Sequence, residues 1–372
     1  MYALFYEKGV NLLREGGILA YITSNKWMRS GYGASLRDFF VNNTNPKVLL
    51  DLGSGVFESA TVDTNILVVE KSDNLGELKA LSFGTDGLEN MSVFVRQKSV
   101  PITYKPGEPW TILSPVEQAI KAKIEAIGIP LKQWNINIQY GVKTGLNDAF
   151  IITDEVRKKL IEDDPKSAEI IRPILRGRDI YKDRIEFANL YVITAYKGIN
   201  EIIESRYPAV FRHLKTFETQ LKQRGQVEGK PGKTGSMQHH WTELDNNISL
   251  EKLDDFNIPK ILFSEMVKEP QFYLDKDNYF ANDTVTFITG ENMDNLVKML
   301  NSKTIFTIYK NFYAGGGLGQ KGVRVKKTFL ESLPLMMNLI INSDNSTDIE
   351  EEIQQALNLT NIEKEWINKQ NN

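Results

Sequence analysis

The sequence predicts an α/β sheet represented by its last strands only, then an α+β domain, then a short helical tail. Three observations carry this. Ile18–Thr23, Val48–Leu52 and Asn65–Glu70 are near-continuous apolar runs, the pattern of strands buried on both faces. Gly33–Phe40 lies between the first two, with Leu36, Phe39 and Phe40 on one helical face, so the order implies a right-handed crossover. The link to the third run is too short for a second crossover, which makes that strand antiparallel. A crossover and a reversed last strand form the end of a sheet, and its beginning is expected outside this chain.

Composition narrows the class. A length of 372 residues suits two or three domains, and 41% apolar with 25% charged residues is ordinary for a globular protein. There is no cysteine, which excludes disulfides and thiolate zinc sites and fits the reducing cytoplasm, where the chain is expected. The absence of a signal peptide and of an apolar run of about 18 residues predicts neither export nor a membrane partner. A net charge of −3 argues against a uniformly basic nucleic-acid binder and leaves room for a local basic face.

In chain order, residues 1–98 form the first block. Tyr2, Tyr6, Val10 and Leu13 share a helical face that Gly16 and Gly17 terminate. The strand Ile18–Thr23 is expected to have an unpaired edge, with self-association or a rearranged block as its consequence. Asp51-Leu52-Gly53-Ser54-Gly55, with Glu70 downstream, resembles a glycine-rich cofactor loop. A turn between two strands is the favoured reading, because Gly53–Thr64 leaves no room for the intervening helix. Residues 99–115 hold Pro101, Pro106, Gly107, Pro109 and Pro115 and predict a linker. Ser114, Pro115 and Glu117 then start a helix.

Residues 116–335 predict a second domain with strands at Ala149–Ile152, Leu190–Ile193, Ile261–Phe263, Phe272–Leu274 and Thr284–Ile288. Val210, Leu214, Phe217 and Leu221 mark an amphipathic helix. The loop Gly141–Phe150 enters a strand. Its glycines suit close approach to a phosphate, with Lys143 adding charge, and a plain turn reads equally well. Two basic patches stand out: Arg212–His240, and Gly315–Lys327, which contains Lys321, Arg324, Lys326 and Lys327 and no acid. Each is a solvated face or a phosphate-contacting surface. The histidines lack zinc-site spacing, and Glu77-Leu78-Lys79, an echo of a nuclease tripeptide, lies in an apparent linker. Residues 336–372 predict an acidic helical tail beginning at Ser346-Thr347-Asp348.

Tyr2–Glu70 resembles the last third of an adenine-specific DNA methyltransferase domain of the Type IIG restriction–modification and phage-defence kind. Gly141–Phe150, Arg176-Gly177-Arg178-Asp179-Ile180, His240-Trp241-Thr242-Glu243-Leu244 and Pro259–Glu265 together resemble a TaqI-like target-recognition domain. The resemblance implies a partial Rossmann-like methyltransferase sheet, an S-adenosylmethionine-dependent whole enzyme, double-stranded DNA as partner and a catalytic half lying upstream. No Pro-Pro dipeptide occurs, so the family's Asn-Pro-Pro-Tyr motif is absent, and this chain alone is expected to be inactive and to bind no cofactor.

Phe57, in Gly55-Val56-Phe57, matches the family's aromatic that stacks on a flipped adenine. Packing under the sheet is the alternative, and Ala60 stands where some members have lysine. DNA contacts are expected from Lys143, Thr144, Asn147, Arg176, Arg178, Lys230, Lys233, His240, Trp241, Lys321, Arg324 and Lys326. A DNA-specificity subunit and a small-molecule methyltransferase using Gly53–Glu70 remain as rival readings.

Overall fold

The computed structural model describes residues 2–53, 56–57, 62–83, 91–104, 106–225, 227, 239–245, 248–314, 322–342 and 345–370. The chain divides into two compact units, Met1–Ala122 and Lys123–Asn372.

The first unit holds a five-stranded mixed sheet in the order β1-β3-β2-β4-β5, formed by β1 (Ile18–Ser24), β2 (Asn45–Gly53), β3 (Thr64–Glu70), β4 (Glu77–Ser82) and β5 (Val100–Thr103). β3 runs antiparallel to both β1 and β2, as the short link requires, and β4 runs parallel to β2. The crossover helix is Ala34–Asn43 and the first helix is Tyr2–Leu12. One sheet face is covered by an aromatic cluster. Tyr6 meets Tyr21, Trp27 and Phe40, and Trp110 closes on Trp27, Phe40 and Tyr104.

Three sequence expectations need correction here. β1 is not buried on both faces: it alternates, and Ile18 and Ile22 are 63% and 44% exposed. It is an edge strand whose Leu19 and Tyr21 pack on the aromatic core, with the Thr23 hydroxyl 3.0 Å from that of Tyr6. Glu77-Leu78-Lys79 is not linker; these residues begin β4, with Leu78 buried. The proline-rich stretch 99–115 is not a free connection either. Its first residues form β5 against β4, and the Trp110 N–H donates to the Met28 carbonyl at 2.8 Å. The bulk of Ile102 and Trp110, both buried in the core, outweighs the flexible composition around them.

Among the described residues the second unit contains two four-stranded sheets and two short pairs. One sheet has the order β14-β9-β10-β8 and the other β13-β11-β15-β7. The paired dipeptides are β6 (Ile129–Pro130) with β17 (Pro334–Leu335), and β12 (Met266–Val267) with β16 (Val323–Arg324). The remaining strands are β7 (Ile136–Tyr140), β8 (Ile151–Thr153), β9 (Ile171–Leu175), β10 (Leu190–Ile193), β11 (Lys260–Ser264), β13 (Phe272–Asp275), β14 (Phe280–Ala281) and β15 (Val285–Gly290). Ile152, Ile174 and Val192 of the first sheet share one apolar core with Leu262 and Phe287 of the second.

Most predicted strands are found. Ala149 and Phe150 are the exception: they lie in the helical turn Asn147–Phe150, and β8 begins only at Ile151. The single helix expected from Val210 to Leu221 is two, Pro208–Lys215 and Glu218–Lys222. The tail is two helices, Ser346–Ala356 and Asn361–Gln370. Phe312 stacks on Trp366 at 6.1 Å, which seats the second helix on this unit. Among the described residues no helix is long and apolar enough to cross a membrane.

β11 also carries a fully buried ion pair, with Lys260 Nζ 2.5 Å from Asp275 Oδ2 on β13 and 2.8 Å from the Phe256 carbonyl. Burial pushes the Lys260 ammonium below its ordinary value, opposed by the carboxylate.

His213 gives the fold a pH dependence. Its Nε2 lies 3.0 Å from the Ala149 carbonyl, and burial lowers its pKa from 6.5. The folded state thus holds the ring neutral while the unfolded chain takes up a proton below about pH 6.5. Stability is unaffected above that pH and falls as pH drops below it, until the folded ring also protonates. Thermal midpoints at pH 7 and pH 5 should differ more in the wild type than in His213→Gln.

Candidate nucleic-acid interface

Four of the expected contact residues, taken from distant parts of the sequence, line one cleft of about 610 Å³ in the second unit. Asn147 comes from the turn before β8, Arg176 and Arg178 from the turn after β9, and Arg324 from β16. Asn282, Asp283 and Thr284, between β14 and β15, complete the wall with Ser264, Glu265 and Met266.

Hydrogen bonds fix these loops. The Gly177 N–H donates to Thr284 Oγ1 at 3.0 Å, and that hydroxyl donates to Asn282 Oδ1 at 2.6 Å. The Thr284 N–H donates to the same oxygen, an Asx turn. A Cβ on Gly177 would come within 2.7 Å of Ser264 Oγ, so the backbone approaches there as no side-chain-bearing residue allows without a shift. Thr144 is buried and donates to Asn147 Oδ1 at 2.6 Å, which leaves the Asn147 amide group able to donate.

The cations differ in what they are free to do. Arg176 forms a two-bond fork to Asp179, with Nε–Oδ2 2.9 Å and Nη2–Oδ1 2.8 Å, so it holds its own turn together. That pairing raises its pKa further. Arg324 Nε lies 3.6 Å from Glu265 and stays half exposed. Arg178 and Asp283 are exposed and pair with no charged side chain among the described residues. The cleft thus offers an unshielded guanidinium, a looser second one, an amide donor and a carboxylate acceptor, the set that meets base edges and phosphates.

The remaining expected residues fall elsewhere. Lys143 is exposed, with its ammonium 3.2 Å from Asp245. Trp241 is a correction: at 8% exposure it belongs to the core, against Phe211, and offers no face to a ligand. His240 Nδ1 is 2.8 Å from Thr242 Oγ1. Lys326 lies over Phe329 at 5.6 Å. Lys230, Lys233 and Lys321 lie outside the described residues. Phe57, in the first unit's turn between β2 and β3, is 45% exposed and so is not packed under the sheet.

Sequence reading missed Arg224, which organises the loops around Asn147. The residue is 7% exposed, and its guanidinium donates to the carbonyls of Thr144, Trp241 and Glu243, each at 2.8 Å. Glu243 in turn accepts from the N–H groups of Gly198 and His240 at 2.7 and 3.0 Å.

Gly53 and Glu70 do not fit S-adenosylmethionine. Gly53 pairs with Thr64 at one end of the β2–β3 ladder, while Glu70 pairs with Asn45 at the other, roughly 20 Å away at strand spacing. Glu70 is also engaged by Lys47 at 3.2 Å. The small-molecule methyltransferase reading loses its cofactor loop. Among the described residues no cluster of acidic and histidine side chains is placed to hold a metal ion.

Comparison with known proteins matches two stretches of the chain. Residues 172–335 match the TaqI-like C-terminal specificity domain, and residues 1–57 match the Eco57I restriction-modification methylase family. The chain is similar to the Type II methyltransferase M.PaeR7I of Pseudomonas aeruginosa, at 19% identity over 79% of this chain and 51% of the relative. It is also similar to the Type II restriction enzyme and methyltransferase RM.Eco57I of Escherichia coli, at 25% identity over 68% of this chain and 27% of the relative. The first of these is spanned over about half its length. In fold the chain resembles the Type IIL restriction-modification enzyme MmeI, solved in complex with DNA. The TM-score is 0.59 at 13% identity, covering 98% of this chain and 51% of that one.

Proposed function

We propose that this chain is the DNA-recognition part of a site-specific DNA methyltransferase of a restriction–modification or phage-defence system, one that methylates adenine N6 using S-adenosylmethionine. The observation that carries it is the cleft. Asn147, Arg178 and Arg324 converge there with Asp283, and three of those four lie inside the stretch that matches a specificity domain. In this reading residues 116–335 read the target, residues 1–98 are the last strands of a Rossmann-like catalytic domain, and residues 336–372 buttress the reader. Residues 99–115 are then the first unit's last layer as well as the connection.

Phe57 stacks on the flipped adenine, replacing the stacking lost on leaving the duplex. The cofactor and the groups that hold the reacting amine belong to the rest of the enzyme, so the isolated chain transfers no methyl group. The open edge of β1, with Ile18 and Ile22 exposed, is where further sheet joins or, in the isolated chain, where a second copy associates.

The test is selection of duplexes from a random-sequence pool by the isolated chain. The wild type should enrich a defined site. Arg178→Ala should relax one position of that site and cost it about 1–3 kcal/mol, or 5- to 150-fold. A pool without enrichment, or an enriched site unchanged in both Arg178→Ala and Arg324→Ala, contradicts the reading.

A further inference from the structure

A second concavity in the same unit, of about 870 Å³, is lined by six cations: Lys182, Arg184, Lys268, Lys298, Lys303 and Lys310. Its acids are Asp183, Glu269 and Glu350. In a chain of net charge −3 this is a marked segregation of positive charge. Glu350 is held in place, accepting from the Lys303 N–H, from Ser302 Oγ at 3.0 Å and from the Thr304 N–H at 3.1 Å, and three acids remain outnumbered by six cations. Asp183 lies 3.3 Å from Arg184. Lys268, Lys303 and Lys310 pair with no acidic side chain among the described residues, and the first two are exposed.

The residue types of the two concavities sort by task. The cleft is lined by three arginines and no lysine, the groove by five lysines and one arginine. A guanidinium makes two directed bonds to a base edge, whereas an ammonium is a compact point charge that suits phosphate in any register. The two are also joined through the chain. Met266 lines the cleft and Lys268 the groove, two residues apart and so at most about 7 Å between Cα atoms. Arg178 lines the cleft and Lys182 the groove, four residues on.

From this we infer that the groove binds the sugar–phosphate backbone of duplex DNA flanking the base pairs held in the cleft. It rests on the reading of the cleft as a base reader and adds a division of labour. The groove supplies salt-dependent, sequence-independent affinity and sets the register, and the cleft supplies the choice of sequence. Partners of other chemistry, such as an acidic protein segment, would use the charge without regard to the length of DNA beside the site.

The experiment uses the full chain and the triple variant Lys268→Ala, Lys303→Ala, Lys310→Ala. Affinity is measured by fluorescence anisotropy across a salt series, on duplexes with short and long flanks around the enriched site. The wild type should bind the longer duplex more tightly and with a steeper salt dependence. The triple variant should lose that advantage, and its log–log salt slope should be shallower by about 2–3, at roughly 0.9 per phosphate contact. The enriched sequence should be unchanged. If the triple variant unfolds more easily than the wild type, Lys268→Gln with Lys303→Gln carries the same readout with a smaller slope change. A salt slope and a flank dependence equal to wild type overturn the inference while leaving the base reader standing. A wild type that binds no duplex overturns both.

Discussion

Asp275→Ala is expected to destabilise the second unit by about 3–5 kcal/mol, because it leaves the Lys260 ammonium buried without its counter-charge. Both side chains are completely inaccessible, and among the described residues the lysine's other partner is the Phe256 carbonyl. Asp275 also accepts from the N–H groups of Asp277 and Tyr279, at 2.9 and 3.0 Å, so its loss frees the turn that leads into β14. The joint replacement Lys260→Met with Asp275→Leu removes both charges at once and should cost far less than either single change, since a buried pair contributes little net stability over apolar residues of similar volume. Urea midpoints of the three variants, followed by a probe in this unit, check it. Equal losses in the single and the joint variants would contradict the account of the pair.

Arg224→Met should cost about 2–4 kcal/mol and should also lower DNA affinity, although Arg224 does not line the cleft. Three carbonyls, of Thr144, Trp241 and Glu243, would each lose a donor inside the protein. The segment Lys143–Asn147 would keep the bond from the Asp245 N–H to the Lys143 carbonyl at 2.9 Å and the Lys143–Asp245 ion pair, and would lose the clamp at Thr144. The side chain also fills the space beside Gly145, whose φ of +70° and close approach to Arg224 Cδ, with an added Cβ at 2.8 Å, suit glycine alone. Arg224→Lys should not restore it, because one ammonium cannot span three carbonyls held by a planar fork. The urea midpoint and the anisotropy titration on the enriched duplex measure the two effects separately. Wild-type DNA affinity in a destabilised variant would show that the loop does not depend on this clamp.

What the sequence made legible follows from local physics. Long apolar runs in the first unit announced strands, and the short stretch between Gly53 and Thr64 announced the reversal into β3. The capping residues Ser114 and Glu117 announced a helix start, and both reciprocal bonds form, at 2.6 and 3.4 Å. Arg178, Arg324 and Asn147 were legible as polar residues on glycine-bearing or basic stretches. Their convergence was not, because it depends on how a shared core places β9 and β14 and on the pairing of β16 with β12. Asn282 and Asp283 carried no signal in the sequence, and Thr284 read as the start of a strand, whereas its hydroxyl accepts from the Gly177 N–H across the cleft. Trp241 was expected at DNA from its place in the stretch His240–Leu244, and the structure buries it. Its burial is decided by Phe211 on a helix some thirty residues earlier. The unpaired edge of β1 was legible, but its apolar run read as buried on both faces, whereas its residues alternate and Ile18 and Ile22 are exposed.

The most direct test of the central claim is the binding of the isolated wild-type chain to duplex DNA across a salt series, with S-adenosylmethionine titrated into the same protein by calorimetry. The account predicts DNA affinity that falls linearly on a log–log plot as salt rises, and no heat from the cofactor. A saturable cofactor isotherm from a chain that ignores DNA would contradict it, since it would make Gly53–Glu70 or another part of this chain the cofactor site and leave the arginine-lined cleft without its ligand.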